Sequence, residues 1–178
     1  MSTLIAPCAG LSSRYGSGKP KYLYTSPEGT PIFFLSVKPL LELHQRIIFV
    51  ILLKHEKEFN SSIIIKQCFK ENGHREPEIL IINEVLNGPA FTVAHAIKIL
   101  KIEGSITIKD CDSICKAKGY PVGKNAVSFI DATKFNIERL NAKSSLELDE
   151  HNKIISIKEK IIFSKFICVG SYYFSEKE

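Results

Sequence analysis

Arginine is scarce in this chain: 4 residues against 20 lysines, with 19 acids and a net charge of +5. The lysines are scattered rather than clustered, so the electrostatic footprint of a dedicated nucleic-acid surface is not indicated, and a local anionic ligand fits better. Long hydrophobic runs are also missing. The longest, Ile47 to Leu53, ends at Lys54 and is far short of the roughly 20 residues of a membrane helix. No basic segment precedes the apolar run Leu4 to Ala9, so a secretion signal is not expected. Five cysteines, Cys8, Cys68, Cys111, Cys115 and Cys168, form neither a CxxC pair nor an even disulfide framework, which points to reduced thiols and a cytoplasmic setting. Internal repeats and low-complexity segments are absent as well. What remains is the composition of one soluble domain of 178 residues, long enough to bury roughly 70% of the surface its unfolded chain exposes.

Through the first two thirds of the chain, short apolar runs alternate with segments of helical period, the pattern of parallel strands joined by crossover helices in an α/β fold. Strands are predicted at Thr3 to Cys8, Ile47 to Leu53, Glu78 to Asn83 and Ser105 to Lys109, all nearly continuous in apolar residues, as strands covered on both faces must be. Helices are predicted at Pro31 to His44, with a break or kink at Pro39, and at Ala90 to Lys101. Ser61 to Glu71 is a third, ambiguous candidate because of its Ile63-Ile64-Ile65 run. After Asp112 the texture becomes β-rich, with strand-like pieces at Ala126 to Asp131, Leu146 to Asp149, Ile154 to Lys158 and Phe166 to Phe174. Asp149-Glu150-His151-Asn152 reads as a hairpin turn.

The first strand runs into Ala9-Gly10-Leu11-Ser12-Ser13-Arg14, followed by Gly16, Gly18, Lys19, Pro20 and Lys21. A small-residue loop leaving the carboxyl end of a first strand, with a cation on each side, is where α/β sheets offer backbone N–H groups to a phosphate. A surface loop with incidental lysines has the same composition. A P-loop is excluded by Ser13 and Pro20 at its glycine and hydroxyl positions, and GxGxxG is absent. Further on, Ser105 to Lys109 leads to Asp110-Cys111-Asp112, two carboxylates two residues apart. On a strand they would share a face and address one Mg²⁺. Cys111 and Cys115 lack the partners of a zinc site and read as structural.

The string from Leu4 to Phe34 resembles the sugar-phosphate nucleotidyltransferase family. Its opening strand, AGxGxR-like loop, PK and GxPxI segment correspond to Ala9 to Arg14, Pro20-Lys21 and Gly29-Thr30-Pro31-Ile32, with Ser12 in place of the second loop glycine. The resemblance continues in order to Phe174 through Asn87-Gly88-Pro89-Ala90, Asp112-Ser113-Ile114, Glu159-Lys160 and Gly170-Ser171-Tyr172-Tyr173-Phe174. It implies a Rossmann-like nucleotidyltransferase fold (nucleotide-diphospho-sugar transferase type): a mixed, mostly parallel central sheet flanked by helices, with a β-rich second half. The chain would form a single domain, residues 1–112 holding nucleotide and metal and 113–178 the acceptor.

By the same resemblance the protein is a Mg²⁺-dependent nucleotidyltransferase that joins an NTP to a phosphorylated acceptor, a sugar 1-phosphate being the first choice. It would release pyrophosphate and form an activated precursor for surface polysaccharide. Arg14 and Lys21 would hold and discharge the triphosphate and Lys160 would touch the phosphate being attacked. Ala9, Gly10, Ser12, Ser13, Asn83 and Gly88 would bind the nucleotide, Glu159, Gly170 and Tyr172 the acceptor, and Asp112 with Asp110 the metal. Taken alone, Gly88 is a plain helix-start turn, and Glu159 with Lys160 an exposed charge run. Family members continue beyond this point and supply a second metal-binding aspartate, so either Asp110 substitutes or the chain is a non-catalytic nucleotide-binding member. A glycosyltransferase with an Asp-x-Asp pair is the third option, opposed by Arg14 and Pro20-Lys21. No nucleic-acid or membrane partner is expected. Phe163, Phe166, Tyr172 and Tyr173 are candidates for a homodimer contact.

Overall fold

The protein is described by a computed structural model covering residues 1–11, 18–134 and 143–176. These residues form two compact units, one comprising Met1–Ala126 and Tyr172–Glu178, the other Val127–Ser171. The division falls at Val127 rather than at Asp112, where the sequence turns β-rich.

The first unit is built on parallel strands β1 (Ser2–Pro7), β2 (Arg46–Leu52), β3 (Glu78–Ile82) and β4 (Ser105–Lys109) in the order β3-β2-β1-β4. Register pairs Leu4 with Ile47 on one side of β1 and with Thr107 on the other. Strand alternation divides the apolar side chains between two faces. Leu4, Ala6, Cys8, Phe49 and Ile51 join Phe33, Phe34, Ile65 and Phe69 in one core cluster, while Ile5, Ala9, Ile48, Val50, Leu52 and Ile82 pack with Val93 and Ala96 in the other. The near-continuous apolar strands are thus explained by helices on both sides, α1 (Ile32–Val37) and α3 (Ser61–Glu71) contributing to the first cluster and α4 (Pro89–Leu100) to the second.

The helix predicted from Pro31 to His44 is two pieces: α1 ends at Val37 and Lys38–Leu43 continues as a tighter 3₁₀ turn. Pro39 has no N–H to bond back to Leu35 and its ring crowds that carbonyl, so the α-helical ladder stops there. The ambiguous Ile63-Ile64-Ile65 run lies in a helix, because Ile65, Cys68 and Phe69 share one buried face while Ile63 and Ile64 face solvent. A further helix, α2 (Leu53–Phe59), gave no apolar periodicity to find, since it buries only His55. Asn60, at φ 50°, turns the chain between α2 and α3, and the Glu56 carboxylate accepts from the Ser62 N–H at 2.8 Å and from its hydroxyl at 2.6 Å.

In the second unit β6 (Ser144–Leu148) pairs antiparallel with β7 (Ile154–Glu159) and with β8 (Phe166–Phe174), and β5 (Ala126–Asp131) pairs with β8. The hairpin turn at Asp149 to Asn152 is present: the Asp149 carboxylate accepts from the N–H groups of His151 and Lys153 at 2.9 and 2.8 Å, and Asn152 adopts φ 59°. Asn141 and Ala142 lie outside the described residues, and Ser144 opens β6. All five cysteines are free, and no described helix is long and apolar enough to cross a membrane.

Two packed imidazoles, His44 half-buried and His55 buried, make acid stability a test of this packing. His44 hydrogen-bonds the Leu40 carbonyl at 2.8 Å and the Thr107 hydroxyl at 2.7 Å, and His55 meets the Tyr22 hydroxyl at 3.4 Å. Burial lowers both below the ordinary histidine value of 6.5. Below that value the unfolded chain takes up protons that the folded chain refuses, so stability is lost as pH falls through the window. The melting temperature should drop from about pH 7 to about pH 5, and a His44→Gln, His55→Gln double variant should flatten that profile.

Candidate functional site

The parallel order places the loop after β1 beside the turn after β4, and there Lys21 and Asp112 come together. The polypeptide leaves β1 through buried Cys8 and Ala9 to exposed Gly10. Ser12, Ser13 and Arg14 lie outside the described residues. The chain resumes at Gly18 and leads to Pro20 and a 3₁₀ turn, Lys21–Leu23. Tyr22 and Leu23 are buried in the core, which fixes the turn and leaves Lys21 reaching outward. Burial, the largest influence on the Tyr22 hydroxyl, pushes its pKa up, so it stays a neutral hydrogen-bonding group beside His55.

Lys21 Nζ lies 2.6 Å from Asp112 Oδ2, an ion pair between residues 91 apart in the chain. Each side chain is 34% exposed. The pair is therefore partly solvated, and an ion pair of this kind contributes only about 0–1 kcal/mol. It can yield to a polyanion at small cost.

Asp110 and Asp112 do not stand on a strand. β4 ends at Lys109 and the two aspartates occupy the turn that follows, so the alternation used to place them on one face does not apply. Their turn is shaped by a residue the sequence reading passed over. Lys109 is fully buried, and its ammonium donates to the Asp110 carbonyl and to Ser113 Oγ, both at 2.8 Å. Burial is the main reason that its pKa is lowered, while Asp110 and Asp112 act in the opposite sense. The signal in the sequence was a lysine closing an otherwise apolar strand, which resembles an ordinary solvated strand end. Among the described residues no group of three or more His, Cys, Asp or Glu side chains is assembled. Two carboxylates suit Mg²⁺, which takes few protein ligands and completes its shell with phosphate oxygens and water.

Asn83 and Gly88 follow β3, at the carboxyl end of the same parallel sheet but not on a strand adjacent to β1. Both are exposed. Gly88 caps α4 at φ 102°, ψ 172°, a conformation that is essentially restricted to glycine. No atom lies within 4 Å of where its Cβ would stand. Gly88→Ala should therefore cost about 1–3 kcal/mol from backbone strain alone, measurable by urea unfolding.

In the second unit Glu159 ends β7 and pairs with Lys160 at 2.8 Å. Both are exposed, and the Lys160 ammonium holds the Glu159 carboxyl below its ordinary range. Lys160 adopts φ 58° and its N–H donates to the Lys143 carbonyl at 3.0 Å, which closes the β6–β7 pair at that end. Gly170 is buried in β8 at φ 69°. Tyr172 belongs to the β8 residues of the first unit, as does Tyr173, which stacks on Tyr120 with ring centroids 4.4 Å apart.

A cavity of about 350 Å³ opens at the opposite, amino end of β2 and β3, lined by Met1, Phe69, His74, Arg46 and Glu78 among others. Arg46 there is bound bidentately by Glu78, at 2.7 and 2.6 Å. Its charge is already neutralised, and ligands of open α/β sheets bind outside the carboxyl ends of the strands. The Lys21–Asp112 end is therefore the candidate site.

No protein-family model and no curated protein matches this chain. Solved structures do. A nucleoside-diphosphate-sugar pyrophosphorylase from Vibrio cholerae RC9 superposes with a TM-score of 0.74 at 17% identity, over 99% of this chain and 74% of its own. The inositol-1-phosphate CTP transferase from T. maritima gives 0.74 at 13% identity, covering 98% and 71%. HddC from Yersinia pseudotuberculosis gives 0.69 at 21% identity, covering 98% and 77%. The chain has the α/β nucleotidyltransferase fold, a mixed sheet flanked by helices.

Proposed function

We propose, on the premise of the nucleotidyltransferase fold, that this protein joins an NTP to a phosphorylated small-molecule acceptor, with a sugar 1-phosphate the first candidate. The observation that carries the reading is the Lys21–Asp112 pair, which brings a cation and a carboxylate from distant parts of the chain to the carboxyl ends of adjacent strands. An acceptor phosphate oxygen attacks the α-phosphorus, the bond from that phosphorus to the β-phosphate bridging oxygen breaks, and pyrophosphate leaves. Such a reaction needs alignment and charge neutralisation more than covalent help, so no Ser, Cys or His nucleophile is required.

Lys21 and Arg14 hold the triphosphate and offset the charge that accumulates as pyrophosphate departs. The backbone at Ala9, Gly10, Ser12 and Ser13 supplies N–H donors to the phosphates. Asp112, with Asp110, would hold Mg²⁺, which supplies charge neutralisation at the phosphates when bound. Asn83 offers both a donor and an acceptor to a base edge, and Gly88 lets the backbone approach it. Glu159, Gly170 and Tyr172 are assigned to the acceptor, and Lys160 to its phosphate.

Thermal stability measured with Mg²⁺ and each of CTP, UTP, dTTP, GTP and ATP tests the reading without knowledge of the acceptor. A nucleotide at about 100 times its Kd should add roughly 2.7 kcal/mol. A selective shift that disappears on chelation of the metal is the expected result and names the base. The absence of any nucleotide shift would overturn the proposal.

A further inference from the structure

The cavity at the amino end of β2 and β3 shares no residue with the proposed nucleotide site, and hydrogen bonds hold its walls in place. Arg46 and Glu78 bridge the starts of the two strands at 2.7 and 2.6 Å. His44 is fixed by the Leu40 carbonyl and the Thr107 hydroxyl, and the Gln45 side-chain carbonyl accepts from the Ser2 N–H at 3.1 Å. On another wall the chain leaves α3 through Gly73, at φ 74°, and the His74 N–H donates to the Phe69 carbonyl at 2.9 Å. That turn sets the His74 ring against Phe34 and Phe69, with centroids 5.8 and 6.4 Å apart. A site prepared in this way loses little free energy to ordering when it binds.

The lining divides by chemistry. Leu41, Ile47 and Phe69 present apolar surface continuous with the core cluster. Of the charged side chains, Arg46 and Glu78 neutralise one another, which leaves Arg75, Glu42 and Glu76. All three are exposed and none is in an ion pair among the described residues. The ring nitrogens of His74, which is half-buried, likewise have no hydrogen-bond partner among those residues. A ligand that is only an anion would meet the two carboxylates, and one that is only a cation would meet the guanidinium. One cation, two carboxylates and an apolar floor in about 350 Å³ are the complement of a small molecule that carries both charges and an apolar body.

We propose that this cavity is a second ligand site, and that it takes a free α-amino acid with an apolar side chain, of the size of leucine or phenylalanine. The carboxylate lies against the planar fork of Arg75 with a His74 N–H as a further donor, and the ammonium donates to Glu42 and Glu76. The side chain displaces water from Leu41, Ile47 and Phe69. No bond is made or broken there, and the site does not depend on the proposed nucleotidyl transfer.

The test is calorimetric titration of the full chain with L-phenylalanine and L-leucine. Each is compared with the analogue that lacks its ammonium, hydrocinnamate or isocaproate, and with the one that lacks its carboxylate, phenethylamine or isoamylamine. Saturable one-to-one binding of at least one amino acid is expected, with both of its analogues weaker by about 10-fold or more, the usual loss with one charge-assisted hydrogen bond. Arg75→Gln should weaken the amino acid by a similar factor and leave the amine analogue unchanged. The Glu42→Gln, Glu76→Gln double variant should weaken it too and leave the acid analogue unchanged. These side chains are exposed, so the melting temperature should hold, and the analogue series in the unaltered chain decides if a variant fails to fold. No heat and no thermal shift with either amino acid at about 10 mM, enough to fill about nine-tenths of a site of millimolar Kd, overturns the proposal. So does an analogue that binds as tightly as its parent, or amino-acid binding that neither variant weakens.

Discussion

Lys21→Ala should lower kcat for nucleotidyl transfer roughly 10²–10³-fold, the usual loss when one preorganised charge-stabilising group is removed, equivalent to about 2.7–4 kcal/mol. The nucleotide dissociation constant should rise far less, because charge on the phosphates grows toward the transition state and the lysine gains most there. Folding should hardly change. Asp112 loses the lysine but is one third exposed, so water can replace the ammonium, and a partly solvated pair contributes no more than about 1 kcal/mol. The measurement is pyrophosphate release under saturating NTP and acceptor, alongside direct nucleotide titration. A raised KM with an unchanged kcat would reduce Lys21 to a uniform binding group and remove it from the catalytic set. Lys21→Arg is a useful companion, since a guanidinium keeps the charge but presents a planar fork in place of a compact ammonium, and partial recovery is expected.

The parallel half of the fold was legible because its strands are buried on both faces and leave unmistakable apolar runs. Each of the four predicted strands of this half lies within one residue of its observed limits. Pro39 announced the end of α1 by its chemistry alone, and Asp149 announced the β6–β7 turn. α2 was hidden because a helix that buries only His55 has no stripe to detect. The candidate site was legible in part for a different reason. Lys21 and Asp112 were marked by their order along the chain within a family-like sequence, whereas their contact is a property of strand order, which no local pattern encodes. Lys109 escaped because a lysine at a strand end is nearly always solvated, and only the packed structure distinguishes a cation at zero exposure from an ordinary one.

Lys109 also supports the second large effect. Lys109→Met keeps the apolar stem and removes only the ammonium, so the Asp110 carbonyl and Ser113 hydroxyl lose the donor that ties their turn to β4. Asp112 sits inside that turn, and a misplacement of about 1 Å in a positioning element can cost about 10²-fold in rate. Stability should move little or rise. An unsatisfied carbonyl costs about 1–3 kcal/mol, but relieving a buried cation of its desolvation penalty returns several kcal/mol. A loss of activity without a matching loss of melting temperature therefore identifies Lys109 as a positioning residue; parallel losses would make it ordinary scaffolding. A pH series sharpens the distinction. Because burial lowers the Lys109 pKa below its ordinary 10.5, the folded chain releases this proton before the unfolded chain does. Stability of the unmodified protein should gain as pH rises through the window below 10.5, where the unfolded state binds more protons. The methionine variant has no proton to release there, so that gain should be missing from its profile.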